Sequence, residues 1–369
     1  MNQEIPQSPA QLTPSWLTEA LQTDGAISGN TVVSSFDAET IGEGVGLIGL
    51  LARLRLQYSG DAEGAPRTVI AKFPAQTEGA RALGKLYGVY EREVRFYAEI
   101  GDQVGLSTPR CYYSAMDIDS DRYFLLLEDL AASGRVGDQV AGCSEDEALL
   151  AVRELAKFHA IWWDSPKLQE ITWLARGSDL VRASMQALYP QASKTITEQF
   201  GGRLTAEIAS EMATLDQRVL AALPQLDAQP ETITHGDYRL DNMFFGVDGA
   251  AYELAVFDWQ TLNRSNGPYD LAYFVSGCMA PERRRECEAR LIQAYHEVLL
   301  ARGVRNYPFS ELLKDYRRSL VIALALVTVS GATLEWTNER AVKLLEVMLD
   351  GLVTSIADNN ALELLPAAQ

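Results

Sequence analysis

Hydrophobic and polar positions change rhythm along this chain. In 13-TPSWLTEAL-21 a threonine precedes a proline and an apolar run with helical spacing, which predicts a capped helix. From residue 41 the period shortens. Across 51-LARLRLQY-58, Ala52, Leu54, Leu56 and Tyr58 fall on one side and Arg53, Arg55 and Gln57 on the other, the period of two of a strand. The turn-rich 59-SGDAEGAPR-67 leads into a second predicted strand, 68-TVIAKF-73, so the two read as a hairpin. Residues 81–100 carry a helical pattern, and 123-YFLLLEDL-130 reads as a deeply buried strand.

Beyond residue 130 the pattern is helical. Ser144 and Glu147 form a capping box that opens a helix over 145–163. Further helices are predicted at 175–199, 204–223, 270–279, 282–302, 309–331 and 335–356. The only later strands predicted lie around 231–234, 243–245 and 252–257. A strand-rich part followed by a larger helical one is an α+β plan with two lobes, divided here as 1–130 and 131–369.

Composition narrows the function. The 369 residues are 47% hydrophobic and 22% charged, ordinary for a globular protein. The net charge of −18 argues against nucleic acid as a partner, because phosphate contacts need clustered Lys and Arg. The longest apolar run, 320-LVIALALVTV-329, is too short to span a bilayer, and the N-terminal MNQEIPQSPAQLTPSW lacks the basic and apolar segments of a signal peptide. A cytoplasmic protein without membrane insertion is therefore expected. Four scattered cysteines suit a reducing compartment, and with three histidines in the chain a zinc site is not expected. No pattern reports the oligomeric state.

The densest polar stretch is 234-THGDYRLDNMFF-245. Asp237 and Asn242 lie five residues apart across a turn between apolar segments, and Asp258 closes the next strand in 255-AVFDWQ-260. Hard oxygen donors at adjacent strand ends suit Mg²⁺ held by one or two protein groups together with substrate phosphates. Phosphoryl transfer also needs a carboxylate near the acceptor hydroxyl to orient it and take its proton. Asp237 fits that task, with Asn242 and Asp258 as metal ligands. On a purely structural reading, all three could be turn formers.

Through 235-HGDYRLDN-242, 257-FDWQ-260 and 267-GPYDLAYF-274 the chain resembles the aminoglycoside phosphotransferase and choline kinase-like superfamily, closest to its ecdysteroid kinase-like branch. The resemblance implies a bilobal protein-kinase-like fold, with a small antiparallel-sheet lobe and a large mainly helical lobe. It implies ATP and Mg²⁺ as cofactors and a small-molecule hydroxyl as acceptor. Asp237 then inherits the base role, Asn242 and Asp258 the metal, and His235 a loop-bracing position. The cluster 42-GEGVG-46 opens into a strand rather than a helix, like the phosphate-covering loop of kinases, so Gly42, Gly44 and Gly46 are candidate nucleotide contacts. Lys72 in the next strand corresponds to the phosphate-gripping lysine. Glu93, or else Glu91, on the following helix would orient it. In 125-LLLEDL-130 the backbone of Glu128, Asp129 and Leu130 would meet the adenine.

Several residues have plainer readings. Lys72 alone could be an edge-strand charge. His159 in 155-LAKFHAIWW-163 reads as a core histidine, Arg239 and Asp241 as local pairing residues, Asp270 as a brace, and the aromatic helix 269–274 as core. Trp259 and Gln260 stand where protein kinases carry Phe-Gly, which argues against a protein kinase, and 280-APE-282 reads as a chance match to a protein-kinase tripeptide. An inactive nucleotide-binding scaffold and a metal-dependent hydrolase also compete with the small-molecule kinase. Acceptor specificity is expected from 165–230 and 309–340. The apolar 320–329 tilts the acceptor towards a lipophilic alcohol, and the lack of an acidic cluster in 165–230 argues against a polycationic antibiotic.

Overall fold

The computed structural model describes residues 4–42, 49–78, 81, 84, 85, 87–120, 122–247, 249–334 and 336–367. Helix α1 (Pro14–Asp24) starts where the Thr13 hydroxyl accepts from the Trp16 amide at 3.1 Å, and Gly25 stops it with φ of +79°. It covers one face of an antiparallel sheet of β1 (Val32–Ile41), β2 (Gly49–Ser59), β3 (Thr68–Pro74), β4 (Cys111–Asp117) and β5 (Arg122–Glu128), in spatial order β1-β2-β3-β5-β4. Helix α2 (Val89–Arg95) lies in the chain between β3 and β4.

Period-two alternation sets the direction of the key lysine. Val69, Ala71 and Phe73 of β3 pack with Ala52, Leu54 and Leu56 of β2 against Trp16, Leu17 and Leu21 of α1. Lys72 therefore leaves the opposite face, towards α2. On that side Val89, Tyr90 and Val94 of α2 pack on Tyr123, Leu125 and Leu127 of β5.

The large lobe begins with β6 (Gly134–Val136) and continues through helices α3 (Glu145–Trp162), α4 (Gly177–Ala187), α5 (Tyr189–Phe200), α6 (Ala206–Glu211) and α7 (Leu215–Asp227). Four short strands follow: β7 (Thr232–Thr234), β8 (Met243–Gly246), β9 (Leu254–Val256) and β10 (Asn263–Ser265). Helices α8 (Pro268–Gly277), α9 (Pro281–Ala301), α10 (Phe309–Gly331) and α11 (Glu339–Asp358) complete it. Strand β8 pairs with β6 and β9, and β7 pairs with β10. Helix α8 is buried under α10 and α11, in the same core as α3 and α9. The fold is thus α+β, with a small antiparallel-sheet lobe and a large mainly helical lobe. Among the described residues no helix is long and apolar enough to cross a membrane.

Several predicted boundaries shift. Towards its C-terminal end the helix expected over 81–100 runs α-helical over Val89–Arg95 and continues as a π turn, Phe96–Ile100, and a 3₁₀ turn, Gly101–Gln103. The single helix expected over 175–199 is two, because Pro190 forces a new start after Leu188. The one expected over 204–223 breaks between Glu211 and Leu215, and its second part runs through Pro224 to Asp227. Strands β1, β4, β6 and β10 are not among the predicted ones.

Candidate active site

The loop after β7 is built around backbone donors. Gly236 has φ of +82°, and a Cβ there would lie 2.5 Å from the Thr261 carbonyl, so only glycine fits. Asp270, fully buried at the start of α8, accepts the His235 amide at 2.7 Å and the Gly236 amide at 2.9 Å. The His235 ring Nε2 donates to the Phe257 carbonyl at 3.1 Å while Nδ1 accepts the Asp237 amide at 3.3 Å, which fixes the Nε2–H tautomer. His159 is buried between the Tyr295 hydroxyl (2.7 Å) and Asp270 (3.3 Å), a satisfied core histidine.

This bracing presents Asp237, whose side chain is 24% exposed. Arg239 Nε donates to both of its oxygens at 3.1 Å, Asn242 Nδ2 donates to Oδ2 at 2.8 Å, and the Tyr273 hydroxyl donates to Oδ1 at 2.8 Å. Burial would lower the Arg239 pKa, but Asp237 and its neighbours outweigh it and hold the guanidinium firmly charged. Burial and the Asp237 carboxylate both push the Tyr273 hydroxyl well above its ordinary range, so it stays a donor. Since the Asn242 nitrogen is committed to Asp237, the amide oxygen remains as an acceptor. The Asn242 carbonyl also accepts the Phe257 amide at 3.1 Å, tying this loop to the residue before Asp258.

Asp258 sits in the left-handed region, with φ +64° and ψ +63°, an unusual conformation for a non-glycine residue and a mark of a functional site. The next residue holds it there. The Trp259 indole stacks on Phe96 at 4.0 Å, meets Phe158 edge-on and donates to the Val256 carbonyl at 3.2 Å.

Across the lobes the Lys72 amine lies 2.8 Å from Asp258 Oδ1 and 2.7 Å from Glu93 Oε2. Glu91 instead pairs with Arg95 at 2.8 Å, so the structure joins Lys72 to Glu93 and not to Glu91. Burial alone would lower the Lys72 pKa, but Asp258 and Glu93 outweigh it and keep the amine charged. Low-dielectric surroundings push Asp258 up, yet Lys72 and Arg239 hold it below the ordinary carboxylate value. Glu93 is fully buried, and burial pushes its carboxyl up to about 7 despite the pull of Lys72.

The structure thus joins Lys72 to Glu93 and Asp258, joins Asn242 to Asp237, and ties the two groups through the Phe257 amide bonded to the Asn242 carbonyl. Nearby, the Asp129 carboxylate is committed to Arg53 (2.6 Å) and the Ala131 amide, and that of Glu128 to the Arg110 amide and the Tyr252 hydroxyl. The Glu128 amide itself donates to the Arg110 carbonyl at 2.8 Å. Leu130 packs on Phe244 and Ala255. Gly42, with φ of +69°, follows β1 directly, while Gly44 and Gly46 lie outside the described residues. One reading is corrected: Tyr269 and Tyr273 are not plain core, since both are partly exposed and the Tyr273 hydroxyl bonds Asp237. The helical spacing of the aromatics concealed this. Arg239 and Asp241 pair with each other, and Asp241 also meets Arg340 on α11 at 3.3 Å.

The model of the ecdysteroid kinase-like family matches residues 43–306, which include all five residues of this site. The chain belongs to the ecdysteroid kinase-like family. The Caenorhabditis elegans protein named uncharacterized oxidoreductase dhs-27 is 22% identical over 347 residues, 84% of this chain and 41% of that protein; the chain spans less than half of that relative's length. Among solved structures, a GDP complex of an aminoglycoside 2'-phosphotransferase-IIIa variant has a TM-score of 0.56 at 14% identity, covering 94% of this ecdysteroid kinase-like chain and 100% of the other. Choline kinase from Cryptosporidium parvum has a TM-score of 0.54 at 11% identity, covering 93% and 97%. At these identities the two establish the shared fold.

Proposed function

We propose that this protein transfers the γ-phosphoryl group of ATP to a hydroxyl of a small, largely apolar organic molecule, with Mg²⁺ as cofactor. The observation that carries the reading is the contact of Lys72 with both Glu93 and Asp258, whose preceding residue is bonded through its amide to the carbonyl of Asn242, itself paired with Asp237. Lys72, oriented by Glu93, neutralises phosphate charge from the small lobe. Asp237 receives the acceptor hydroxyl, orients it and takes its proton. The acceptor oxygen forms a bond to the γ-phosphorus, the bond to the β,γ-bridging oxygen breaks, and its electron pair leaves with ADP. Positioning and electrostatics supply most of the rate.

The donor set fits Mg²⁺. Asp258 is 35% exposed and keeps Oδ2 open while Lys72 takes Oδ1, and Asn242 contributes its amide oxygen. Among the described residues no three His, Cys, Asp or Glu side chains cluster as a self-sufficient cage, which suits an ion completed by phosphate oxygens and water. When bound, Mg²⁺ would neutralise charge on the phosphate oxygens. The backbone of Glu128, Asp129 and Leu130 would border the adenine, and Gly42, Gly44 and Gly46 the phosphates.

A panel of hydroxylated compounds, from aliphatic and cyclic alcohols to amino alcohols, tests this by ADP formation. Acceptor-dependent ADP formation that disappears in Asp237→Asn supports it. Acceptor-dependent turnover that is undiminished in that variant contradicts it.

A further inference from the structure

Three cysteines that stand far apart in the chain gather in the large lobe. Cys143 precedes the N-cap of α3, Cys278 follows the last residue of α8, and Cys287 lies on the first half of α9. The Cys143 amide donates to the Cys278 carbonyl at 2.9 Å. One such backbone bond sets the two Cα atoms roughly 5–6 Å apart, within the range of about 4.5–7 Å that a disulfide spans. The side chains meet as well. The Cys278 thiol is hydrogen-bonded to that of Cys143, and this contact, followed by burial, pushes it well above the ordinary thiol range.

The two thiols differ in access. Cys278 is fully buried, where a thiol on its own is inert, whereas Cys143 is partly exposed. Cys287 is engaged elsewhere: its Sγ lies 3.4 Å from the Arg283 carbonyl and 3.4 Å from Met279 Sδ. Soft donors this close suit a soft metal. Among the described residues, however, no three His, Cys, Asp or Glu side chains are grouped to hold one. The arrangement is that of a pair, one sulfur open to a small oxidant and the other in contact with the first.

The pair also sits where a covalent bond has a structural consequence. Gln139, shortly before Cys143, is 1% exposed and donates through Nε2 to the Gly277 carbonyl at 2.7 Å. Its amide donates to Asp241 Oδ1 at 2.9 Å, and its Oε1 accepts the Leu240 amide at 2.8 Å. Residues 139–143 and α8, the helix that carries Asp270 and Tyr273, therefore both support the catalytic loop.

We propose that Cys143 and Cys278 are a redox modification site, closed by hydrogen peroxide into a reversible disulfide that staples residues 139–143 to the end of α8. Cys143 reacts first. Its sulfur takes one peroxide oxygen as a hydroxyl to become a sulfenic acid, the O–O bond breaks, and one water leaves. The Cys278 sulfur then attacks the Cys143 sulfur, the S–O bond breaks, and the hydroxyl departs with the Cys278 proton as a second water. Two thiols lose two electrons in all, and one peroxide becomes two waters. Because the thiols already touch in the folded chain, the bond forms without rebuilding the loop. It closes a loop of about 130 residues in the unfolded chain, which favours the folded one. In a reducing compartment such a bond is transient, formed under oxidant and removed by thiols.

The test is peptide mapping and thermal melting of the full chain, first reduced with dithiothreitol and then exposed to a few equivalents of hydrogen peroxide. Trypsin places the four cysteines in four different peptides, 111–122, 136–153, 265–283 and 286–290, so a linked pair is identified by mass. The expected product is one intramolecular link between 136–153 and 265–283. Its melting temperature should lie about 3–6 °C above that of the reduced chain, and dithiothreitol should reverse both changes. Cys143→Ser and Cys278→Ser should each abolish the link and the shift, and Cys287→Ser should leave both. Where Cys278→Ser lacks a cooperative melt, the wild-type map and Cys143→Ser decide. No link, a link mainly between 136–153 and 286–290, or links between chains overturns the assignment. So does sulfinic or sulfonic acid at Cys143 without a link, or a linked chain that melts no higher than the reduced one.

Discussion

Lys72 and Asp258 meet at 2.8 Å although 186 residues separate them, and this contact joins the sheet of the small lobe to the loop after β9 in the large one. Glu93 completes the arrangement from beneath, fully buried. A lysine placed there for solubility would face water. Here it faces two carboxylates.

Removing the amine should therefore destabilise the fold. Lys72→Met leaves Glu93 buried without its counter-charge, a loss of about 3–5 kcal/mol at neutral pH. Glu93→Gln in the same background should recover most of it, because the uncompensated charge is gone. Urea unfolding of the two single variants and the double variant measures the coupling. A loss of no more than about 0.5 kcal/mol for Lys72→Met, typical of an exposed position, would show that the pair carries no weight.

Nucleotide affinity should depend on pH through Glu93. Burial raises its pKa from 4.5 to about 7. Below that value it takes a proton and releases Lys72, whereas Asp258, held low by Lys72 and Arg239 against the push of burial, stays ionised. ATP affinity is expected to fall as pH drops from about 8 to about 6, and Glu93→Gln should flatten the profile at its low-pH level. Stability through this group runs the other way. Its folded pKa lies above the unfolded one, so its contribution is fully present below 4.5 and is lost as pH rises through about 7. Isothermal titrations and melts over the same buffers check both signs.

Asp237→Asn should lower kcat by about 100- to 10,000-fold while leaving ATP binding within about threefold, since the amide keeps the shape and loses the base. Tyr273→Phe removes the hydroxyl that occupies Asp237 Oδ1 and should change KM for the acceptor more than KM for ATP. Steady-state kinetics with any acceptor found active separates the two. Equal losses in kcat for both variants would place Tyr273 in the chemical step instead.

Gly236→Ala forces a Cβ to within 2.5 Å of the Thr261 carbonyl at φ +82°. The loop should distort at a cost of about 1–3 kcal/mol, with ADP formation falling alongside the melting temperature. An alanine variant with unchanged melting and activity would contradict the tightness of this turn.

How much of this was legible in the sequence follows from what each residue does. Strand β2 announced itself because one face is buried and the other carries Arg53 and Arg55, giving clean alternation, and the turn-rich 59–67 marked β3 as its hairpin partner. Strand β1 did not, because it lies at the sheet edge and is largely exposed along its length, so its side chains carry no apolar period. Strands β6 and β10 are three residues long, below the reach of any periodicity. Asp237, Asn242 and Asp258 stood out because their spacing along the chain is itself the motif. Tyr273 was hidden because the sequence shows a ring at helical spacing, not where its hydroxyl ends.

The central claim is that Asp258 and Asn242 hold Mg²⁺ beneath a triphosphate gripped by Lys72. The most direct measurement is calorimetric titration with a non-hydrolysable ATP analogue, with and without Mg²⁺, on the wild type and on Asp258→Ala. The account predicts that Mg²⁺ tightens binding by about 10-fold or more in the wild type and has no effect in the variant. Binding of the analogue that is the same with and without Mg²⁺ in the wild type, or a Mg²⁺ effect that persists in Asp258→Ala, would contradict it.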